Sequence, residues 1–244
     1  MPIGPGVQMK RYEKEQTKFL LAGMISPKTG KIIPIKTITN TILKPIDTVK
    51  EEKEFETLLK KMHSLGLKLI MDLVVNHTSD KHSWFKKASK SRKSKFHDYY
   101  IWKEGEKGKK PNNWKSVFSG SAWKWNEQTK EYFLHLYTEN QPDLNWENPI
   151  VREEVYSIID FWLSKGVDGI RMDVISLISK RLDFKNVPKN MIFIDVMEKY
   201  YANGPRVHEY IKEMKKKVLS KYDIVTIGAV SYTHPPSPRD RQKA

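Results

Sequence analysis

The sequence predicts an α/β fold built on a parallel sheet, because three segments share one pattern. Each segment has apolar residues at helical spacing, then a helix-ending signal, then a short apolar run that suits a strand. Helices that alternate with such strands are typical of a parallel sheet covered by helices. Part of a (β/α) barrel is favoured over a doubly wound sheet, although this pattern alone does not separate the two.

The first unit covers residues 51–77. Gly66 supplies the left-handed residue that ends many helices. Residues 67–75 are nearly all apolar, which suits a strand buried on both faces. The helix before them has a predicted buried stripe of Phe55, Leu58, Leu59, Met62 and Leu65.

The second unit begins at Asn148, which can cap a helix, and Pro149 suits the first helical position. Gly166 is again the predicted helix end, and the strand GVDGIRMDV follows at 166–174. Asp168, Arg171 and Asp173 interrupt this apolar strand. Burying a charged side chain is costly unless it is paired or has a functional role. The predicted stripe of the helix is Val151, Val155, Ile158, Ile159 and Trp162.

The third unit begins at Pro205 and predicts a strand at 224–227. Between the first and second units lies an insertion, 78–147, which is too long for a structureless loop in a compact domain. It is predicted to be a small subdomain with its own strands, such as EYFLHLY at 131–137, placed to wall a pocket. The predicted stripe of the third helix is Val207, Tyr210, Ile211, Met214 and Val218.

The two chain ends differ from this pattern. Residues 1–50 have short apolar runs broken by proline and glycine, so an irregular segment is predicted there. Residues 229–244 are rich in proline and charge, so a disordered, non-native tail is predicted.

Composition excludes several classes of protein. The chain has 244 residues and no cysteine, which excludes disulfides and thiolate metal sites. No apolar stretch is long enough to span a bilayer and the amino terminus lacks a signal-peptide core, so a cytoplasmic protein with no membrane partner is expected.

The net charge is +15, and residues 81–110 hold eleven Lys or Arg against three Asp or Glu. A polyanion-binding face is one reading, but lysine dominates and a solvated surface is favoured, so no nucleic-acid partner is expected. The oligomeric state stays open.

Charged residues gather at the predicted carboxyl ends of two strands. His77 follows Asp72 at the first of these ends. Arg171 and Asp173 project to one face because side chains alternate along a strand, so the guanidinium can hold the carboxylate ionised, as a nucleophile requires. For Arg171 and Asp173, a structural ion pair is an equal alternative. The structural alternatives for the other two residues are that Asp72 caps a turn and that His77 hydrogen-bonds to the backbone. The spacing of His77 and His82 does not favour zinc.

Three stretches, in this order, resemble signature motifs of glycoside hydrolase family 13: DLVVNH at 72–77, QPDLNW at 141–146 and GIRMDV at 169–174. Longer stretches such as DLVVNHTSDKHSWF and NGPRVHEYIKEM resemble its oligo-1,6-glucosidase and α-glucosidase branch. The resemblance implies a partial (β/α)8 TIM barrel formed by 51–77 and 148–228, about strands three to five. Residues 78–147 would then be a subdomain inserted after strand three.

The resemblance also implies a retaining hydrolase that acts on short α-glucosides, with a small oligosaccharide as its substrate. Asp173 resembles the family's nucleophile, and Arg171 resembles the arginine that orients it. Asp72 and His77 resemble the pair that hydrogen-bonds a glucose ring. Val174 resembles a residue associated with a preference for α-1,6 links.

The chain departs from the family pattern at Ala229, in TIGA, where the acid/base glutamate should follow a stretch like TVG. Alanine cannot donate a proton. The acidic, glycine-rich cation-binding loop of this branch has no counterpart in the sequence, so no metal or cofactor is expected. The chain is therefore predicted to be a truncated fragment with little or no hydrolase activity, or alternatively a sugar-binding remnant.

Overall fold

The computed structural model describes residues 20–25, 32–33 and 49–229, with side chains from residue 52 onward. Within these ranges, no helix is long and apolar enough to cross a membrane. In chain order the helices and strands are β1 (Leu20–Ile25), β2 (Ile32–Ile33), α1 (Val49–Ser64), β3 (Lys68–Val74), α2 (Ser83–Ala88), β4 (Trp102–Glu104), β5 (Trp123–Asn126), β6 (Glu131–Leu134), α3 (Pro149–Ser164), β7 (Gly169–Asp173), α4 (Phe193–Val196), α5 (Val207–Lys217) and β8 (Val225–Gly228).

The larger sheet has the strand order β2-β1-β3-β7-β8. β3, β7 and β8 run parallel, and each follows one of the long helices α1, α3 and α5. These strands lie where the helix–strand pattern predicts them. β8 is at the edge of this sheet, and Val225 on it is largely exposed.

The prediction of an irregular segment over residues 1–50 is wrong for β1 and β2. β1 pairs antiparallel with β3, from Leu20 opposite Asp72 to Ile25 opposite Lys68. An unpaired strand edge leaves backbone N–H and C=O groups without partners, and the apolar run LLAGMI can satisfy them. The rest of 1–48, and residues 230–244 of the predicted tail, lie outside the described residues.

The helix ends follow the predicted local signals. Asn148 caps α3 by accepting a hydrogen bond from the backbone N–H of Ile150, and Pro149 is in the first turn. Gly66 and Gly166 have φ values of 71° and 96°, in the left-handed region that reverses the chain toward its strand.

Helices cover one face of the parallel strands. Met71, Leu73, Ile170 and Met172 form a single core cluster with the apolar stripes of the three long helices. The residues of these three helices that are buried there are Phe55, Leu59, Met62, Val151, Val155, Tyr156, Ile159, Leu163, Val207, Tyr210 and Met214. Because side chains alternate along a strand, Asp72, Arg171 and Asp173 lie on the opposite face.

The prediction that Leu65 belongs to the buried stripe of the first helix is wrong. α1 ends at Ser64, so Leu65 falls in the turn that follows the helix and is 60% exposed. Four other stripe residues are only partly buried against the core: Leu58, Ile158, Trp162 and Ile211.

Residues 78–147 contain a second, antiparallel sheet with the order β4-β6-β5. The predicted strand at 131–137 is β6, which ends at Leu134. This sheet packs in a second core cluster that also includes Val174, Leu177 and Tyr201, from the segment after β7. The insertion is therefore in contact with the chain just beyond the charged end of β7.

Candidate active site

Arg171 brings two of the predicted site residues together. β3 and β7 pair with Asp72 opposite Arg171 and Val74 opposite Asp173. Arg171 Nη1 donates a hydrogen bond to Asp72 Oδ1 at 2.6 Å, and Nη2 donates to Asp173 Oδ1 at 3.2 Å. Both carboxylates thus lie on one guanidinium, at the edge where parallel strands of α/β folds form their sites.

The two carboxylates have different surroundings. The side chain of Asp72 is 2% exposed, whereas that of Asp173 is 24% exposed. Burial raises the pKa of Asp72 to about 6, and the hydrogen bond and charge of Arg171 offset this only in part. The shorter hydrogen bond of Arg171 goes to the buried Asp72, and Asp173 is the more exposed of the two carboxylates.

His77 lies past the end of β3 and is held by the insertion. Its Nε2 is 2.7 Å from Gln141 Nε2, and its ring centroid is 5.2 Å from that of Tyr137. Asn76 Nδ2 lies 3.3 Å from His77 Nδ1 on the other side of the ring. His77 and Asp72 therefore belong to the same strand end, and the imidazole lies between two side-chain amides and beside an aromatic ring.

Val174 follows Asp173 in an unusual backbone conformation. Its φ and ψ are 46° and 39°, in the left-handed region, which costs a β-branched residue about 1–2 kcal/mol. Its side chain is buried in the second core cluster. The chain therefore turns sharply just after the carboxylate that is most open to a ligand.

Ala229 lies beside this turn. Its N–H donates to the Met172 carbonyl at 2.9 Å, and its carbonyl accepts from the Ile175 N–H at 3.2 Å. The position where the sequence comparison expects an acid/base carboxyl therefore adjoins the end of β7, but the side chain there is a methyl group.

A buried ion pair lies near the site, and the sequence pattern does not predict it. Lys180 Nζ lies 3.0 Å from Asp143 Oδ2, and both side chains are almost completely buried. Lys180 Nζ also donates to Asn76 Oδ1 at 2.8 Å. Asp143 belongs to the QPDLNW stretch, but no local pattern indicates that a lysine after β7 is buried, since lysine is usually exposed.

No group of three or more histidine, aspartate or glutamate side chains in the described part of the chain could hold a metal ion. His82, whose spacing from His77 does not favour zinc, accepts from the Trp84 N–H at 3.2 Å and caps α2. That the protein uses no metal or cofactor stays a prediction.

Comparisons with known proteins agree with one another. The model of the α-amylase catalytic domain matches residues 47–238. An oligo-1,6-glucosidase from Parageobacillus thermoglucosidasius is 57% identical over 176 residues, which cover 72% of this chain and 31% of that protein. An α-glucosidase from Pediococcus pentosaceus is 49% identical over 192 residues, which cover 78% of this chain and 33% of that protein.

Among solved structures, trehalose-6-phosphate hydrolase from Bacillus licheniformis superposes with a TM-score of 0.70 at 46% identity, covering 77% of this chain and 32% of that one. The chain spans about a third of the length of the curated relatives that it matches. These neighbours and the mixed helix–strand architecture imply a partial TIM barrel. With a family match over most of its residues, the chain belongs to the α-amylase family, within the catalytic domain.

Proposed function

We propose that this chain is the nucleophile-bearing part of an α-glucosidase-type glycoside hydrolase that acts on short α-glucosides, with α-1,6 links favoured. The observation that carries the proposal is the guanidinium of Arg171, which holds Asp72 and Asp173 at adjacent strand ends. The 57% identity to an oligo-1,6-glucosidase supports the same substrate class.

In the proposed reaction the carboxylate of Asp173 attacks the anomeric carbon of the α-glucoside as the glycosidic C–O bond breaks. The product is a β-glucosyl ester, which water then hydrolyses, so the sugar retains its configuration. Arg171 keeps Asp173 ionised and in position. Asp72 and His77 hydrogen-bond the glucose ring, with a sugar hydroxyl sharing or replacing the Gln141 contact of the imidazole.

Val174 contributes to the choice of linkage in this proposal. It follows Asp173 directly and is fixed by its buried side chain, so it limits the space beside the attacked carbon. The expected consequence is a preference for α-1,6 links among short α-glucosides.

The step that this chain lacks is proton donation to the leaving group. Retaining glycosidases place a second carboxyl group about 5 Å from the nucleophile for that purpose. Ala229 cannot serve, so glycosides with poor leaving groups are expected to resist hydrolysis. Leaving groups that depart without a proton still allow the first half of the reaction.

The finer fold assignment belongs to the same proposal. β3, β7 and β8 correspond to barrel strands three, four and five, and residues 78–147 to a subdomain inserted after strand three. The parallel pairing and the separate antiparallel sheet between β3 and α3 support this assignment. The protein is further proposed to be cytoplasmic, with a small oligosaccharide as its partner and neither a nucleic acid nor a membrane.

The test uses 5-fluoro-α-glucosyl fluoride, whose fluoride leaves without protonation. Attack by Asp173 forms the glucosyl ester as the C–F bond breaks and fluoride departs. Mass spectrometry of the folded chain should show one fluoroglucosyl group on Asp173, which Asp173→Asn abolishes. Asp168→Asn is the matched control, because Asp168 lies at the opposite end of β7 and should not affect labelling. Labelling elsewhere, or none on a chain with native circular dichroism, would contradict the proposal.

Ala229 favours a second candidate function, in which the chain binds a sugar without cutting it. Calorimetric titration with isomaltose should then show binding that Asp72→Asn weakens at least about tenfold, which corresponds to roughly 1.4 kcal/mol. Binding without fluoroglucosyl labelling supports this candidate over the hydrolase. Turnover of p-nitrophenyl α-glucoside by the purified chain would exclude it and would also overturn the expected loss of activity.

A further inference from the structure

The ammonium group of Lys180 is enclosed by oxygen atoms. Its Nζ donates to Asn76 Oδ1 at 2.8 Å and to the Leu177 carbonyl at 2.5 Å. Asp143 Oδ2 is 3.0 Å away, at ion-pair distance but outside the direction of a hydrogen bond. The lysine side chain is 1% exposed. A buried ammonium is costly unless it is paired and hydrogen-bonded, so this oxygen cage is what permits it.

These oxygens come from three separate parts of the chain. Asn76 follows β3, Asp143 lies at the end of the insertion and Leu177 lies in the turn after β7. Backbone contacts reinforce the first junction: the Leu144 N–H donates to the Asn76 carbonyl at 2.8 Å. Lys180 therefore links both strand ends of the candidate site to the insertion.

Lys180 also determines how the amide of Asn76 is oriented. An ammonium group can only donate, so the atom of Asn76 that faces it is the carbonyl oxygen. The NH2 group of Asn76 then faces His77 Nδ1, at 3.3 Å. Since the two ends of an amide differ little in shape, this donor is what distinguishes the two orientations.

A second amide is fixed in the same way on the other side of the imidazole. Gln141 Oε1 accepts from the Thr138 N–H at 3.3 Å and from Thr138 Oγ1 at 2.8 Å. The NH2 group of Gln141 therefore faces His77 Nε2, at 2.7 Å. Both ring nitrogens of His77 thus face amide donors whose orientations are set by other residues.

We propose that Lys180 is a positioning residue that acts on His77 through Asn76. By holding the Asn76 carbonyl, it keeps an NH2 group against His77 Nδ1 and disfavours the ring proton on that nitrogen. The Gln141 NH2 group opposes a proton on Nε2 in the same way, so Nε2 becomes the donor when a sugar hydroxyl replaces the Gln141 contact. Only this last step rests on the proposed function, because the relay itself involves no sugar.

The rival explanation is that Lys180 and Asp143 merely stabilise the fold as an ion pair. The two explanations separate in the double variant Lys180→Met/Asp143→Leu, which replaces the pair by apolar side chains. Such replacements are often neutral or stabilising. A purely structural role predicts that the ring protonation of His77 in the folded double variant is the same as in the parent. The relay predicts instead that the Asn76 amide turns and presents its oxygen to Nδ1.

The measurement is the pair of ring 15N chemical shifts of His77 in long-range 1H–15N spectra, assigned with His77→Gln. In the double variant, Nδ1 should move toward its protonated shift while Tm stays within a few degrees of the parent. Lys180→Met alone leaves Asp143 buried and unpaired and should lower Tm by about 10 °C or more. Lys68→Met, which removes an exposed lysine far from His77, should change neither shift.

A second variant keeps the test decisive if the double variant does not fold. Asn76→Asp retains an oxygen for Lys180 and presents a second oxygen to His77 Nδ1, so the proton should again localise on Nδ1. Unchanged His77 shifts in either folded variant would overturn the relay. Because the His77 shifts are measured without sugar or turnover, their outcome is independent of whether Asp173 is labelled.

Discussion

The two ends of the strand pair β3 and β7 both carry partly buried carboxylates, but these carboxylates have different numbers of charged and hydrogen-bonding partners. At the amino-terminal end, Asp168 Oδ1 accepts from Lys68 Nζ at 2.9 Å, and Oδ2 lies 2.8 Å from the Leu69 N–H and 2.7 Å from His63 Nε2. Burial acts to raise the pKa of Asp168, but the three contacts outweigh it and the pKa is lowered. This carboxylate is ionised and has a partner for each oxygen.

At the carboxyl-terminal end, one guanidinium serves two carboxylates. Arg171 bonds both Asp72 and Asp173, and burial still raises the pKa of Asp72 to about 6. Carboxylates that are buried with too few partners cost stability and are concentrated at functional sites. We expect charge at the amino-terminal end to stabilise the fold, whereas the proposed function requires charge at the carboxyl-terminal end to meet a ligand.

The largest expected effect comes from removing Arg171, and Lys68 is the matched cation at the other end of the strands. Arg171→Met leaves Asp72 buried without a cationic partner and should lower the free energy of unfolding by about 3–5 kcal/mol. Lys68→Met should lower it by less than about 1 kcal/mol, because Lys68 is 64% exposed and Asp168 keeps its other partners. Urea denaturation measures both, and equal losses would remove the distinction between the two ends.

The pH dependence of stability should be opposite for the buried Asp72 and the partly buried Asp168. The pKa of Asp72 is raised from 3.8 to about 6, so between these pH values the folded chain binds a proton that the unfolded chain releases. This stabilisation is complete below about pH 4 and is lost as the pH rises through 6, by about 3 kcal/mol in total. Asp72→Asn should abolish that decline in urea unfolding between pH 4 and 7.

Asp168 is the control for the direction in which stability changes with pH. Its pKa is lowered, so its stabilising contribution is present above the unfolded-state pKa and is lost as the pH falls through the folded-state value. Asp168→Asn should therefore weaken the chain at pH 7, where Asp72→Asn strengthens it. A carboxyl 13C titration of Asp72 with a midpoint near 4 would contradict the comparison.

The smallest effect concerns the backbone at Val174, which has a φ of 46°. Glycine adopts this conformation freely, so Val174→Gly should be more stable than Val174→Ala by about 1 kcal/mol. Val167, at the amino-terminal end, is buried without a positive φ, and there alanine should be the more stable replacement. Thermal unfolding of the four variants tests this, and the same order at both positions would show that Val174 is not strained.

Much of the fold could be predicted because its signals are local. Gly66 and Gly166 end helices in the left-handed region, and Asn148 caps α3, as their neighbours in the sequence indicate. The same pattern could not indicate that residues 20–25 pair with β3, because that pairing depends on a distant strand edge.

The candidate site was predictable in part. Asp72, Arg171 and Asp173 could be placed at strand ends by periodicity and by resemblance, and the structure brings them together. Lys180 could not be found in this way, because its burial depends on Asp143 and Asn76, which are distant in the sequence.

The sequence by itself determined the family, the order of helices and strands, and the chemical groups at the ends of β3 and β7. Backbone propensities, apolar periodicity and motif residues act over a few positions, so they can be read along the chain. Only the tertiary structure decided that Asp72 is the buried carboxylate, that Arg171 hydrogen-bonds two aspartates, and that Lys180 is a buried lysine. Those outcomes depend on desolvation and on contacts between segments far apart in the chain, and both exist only once the chain has packed.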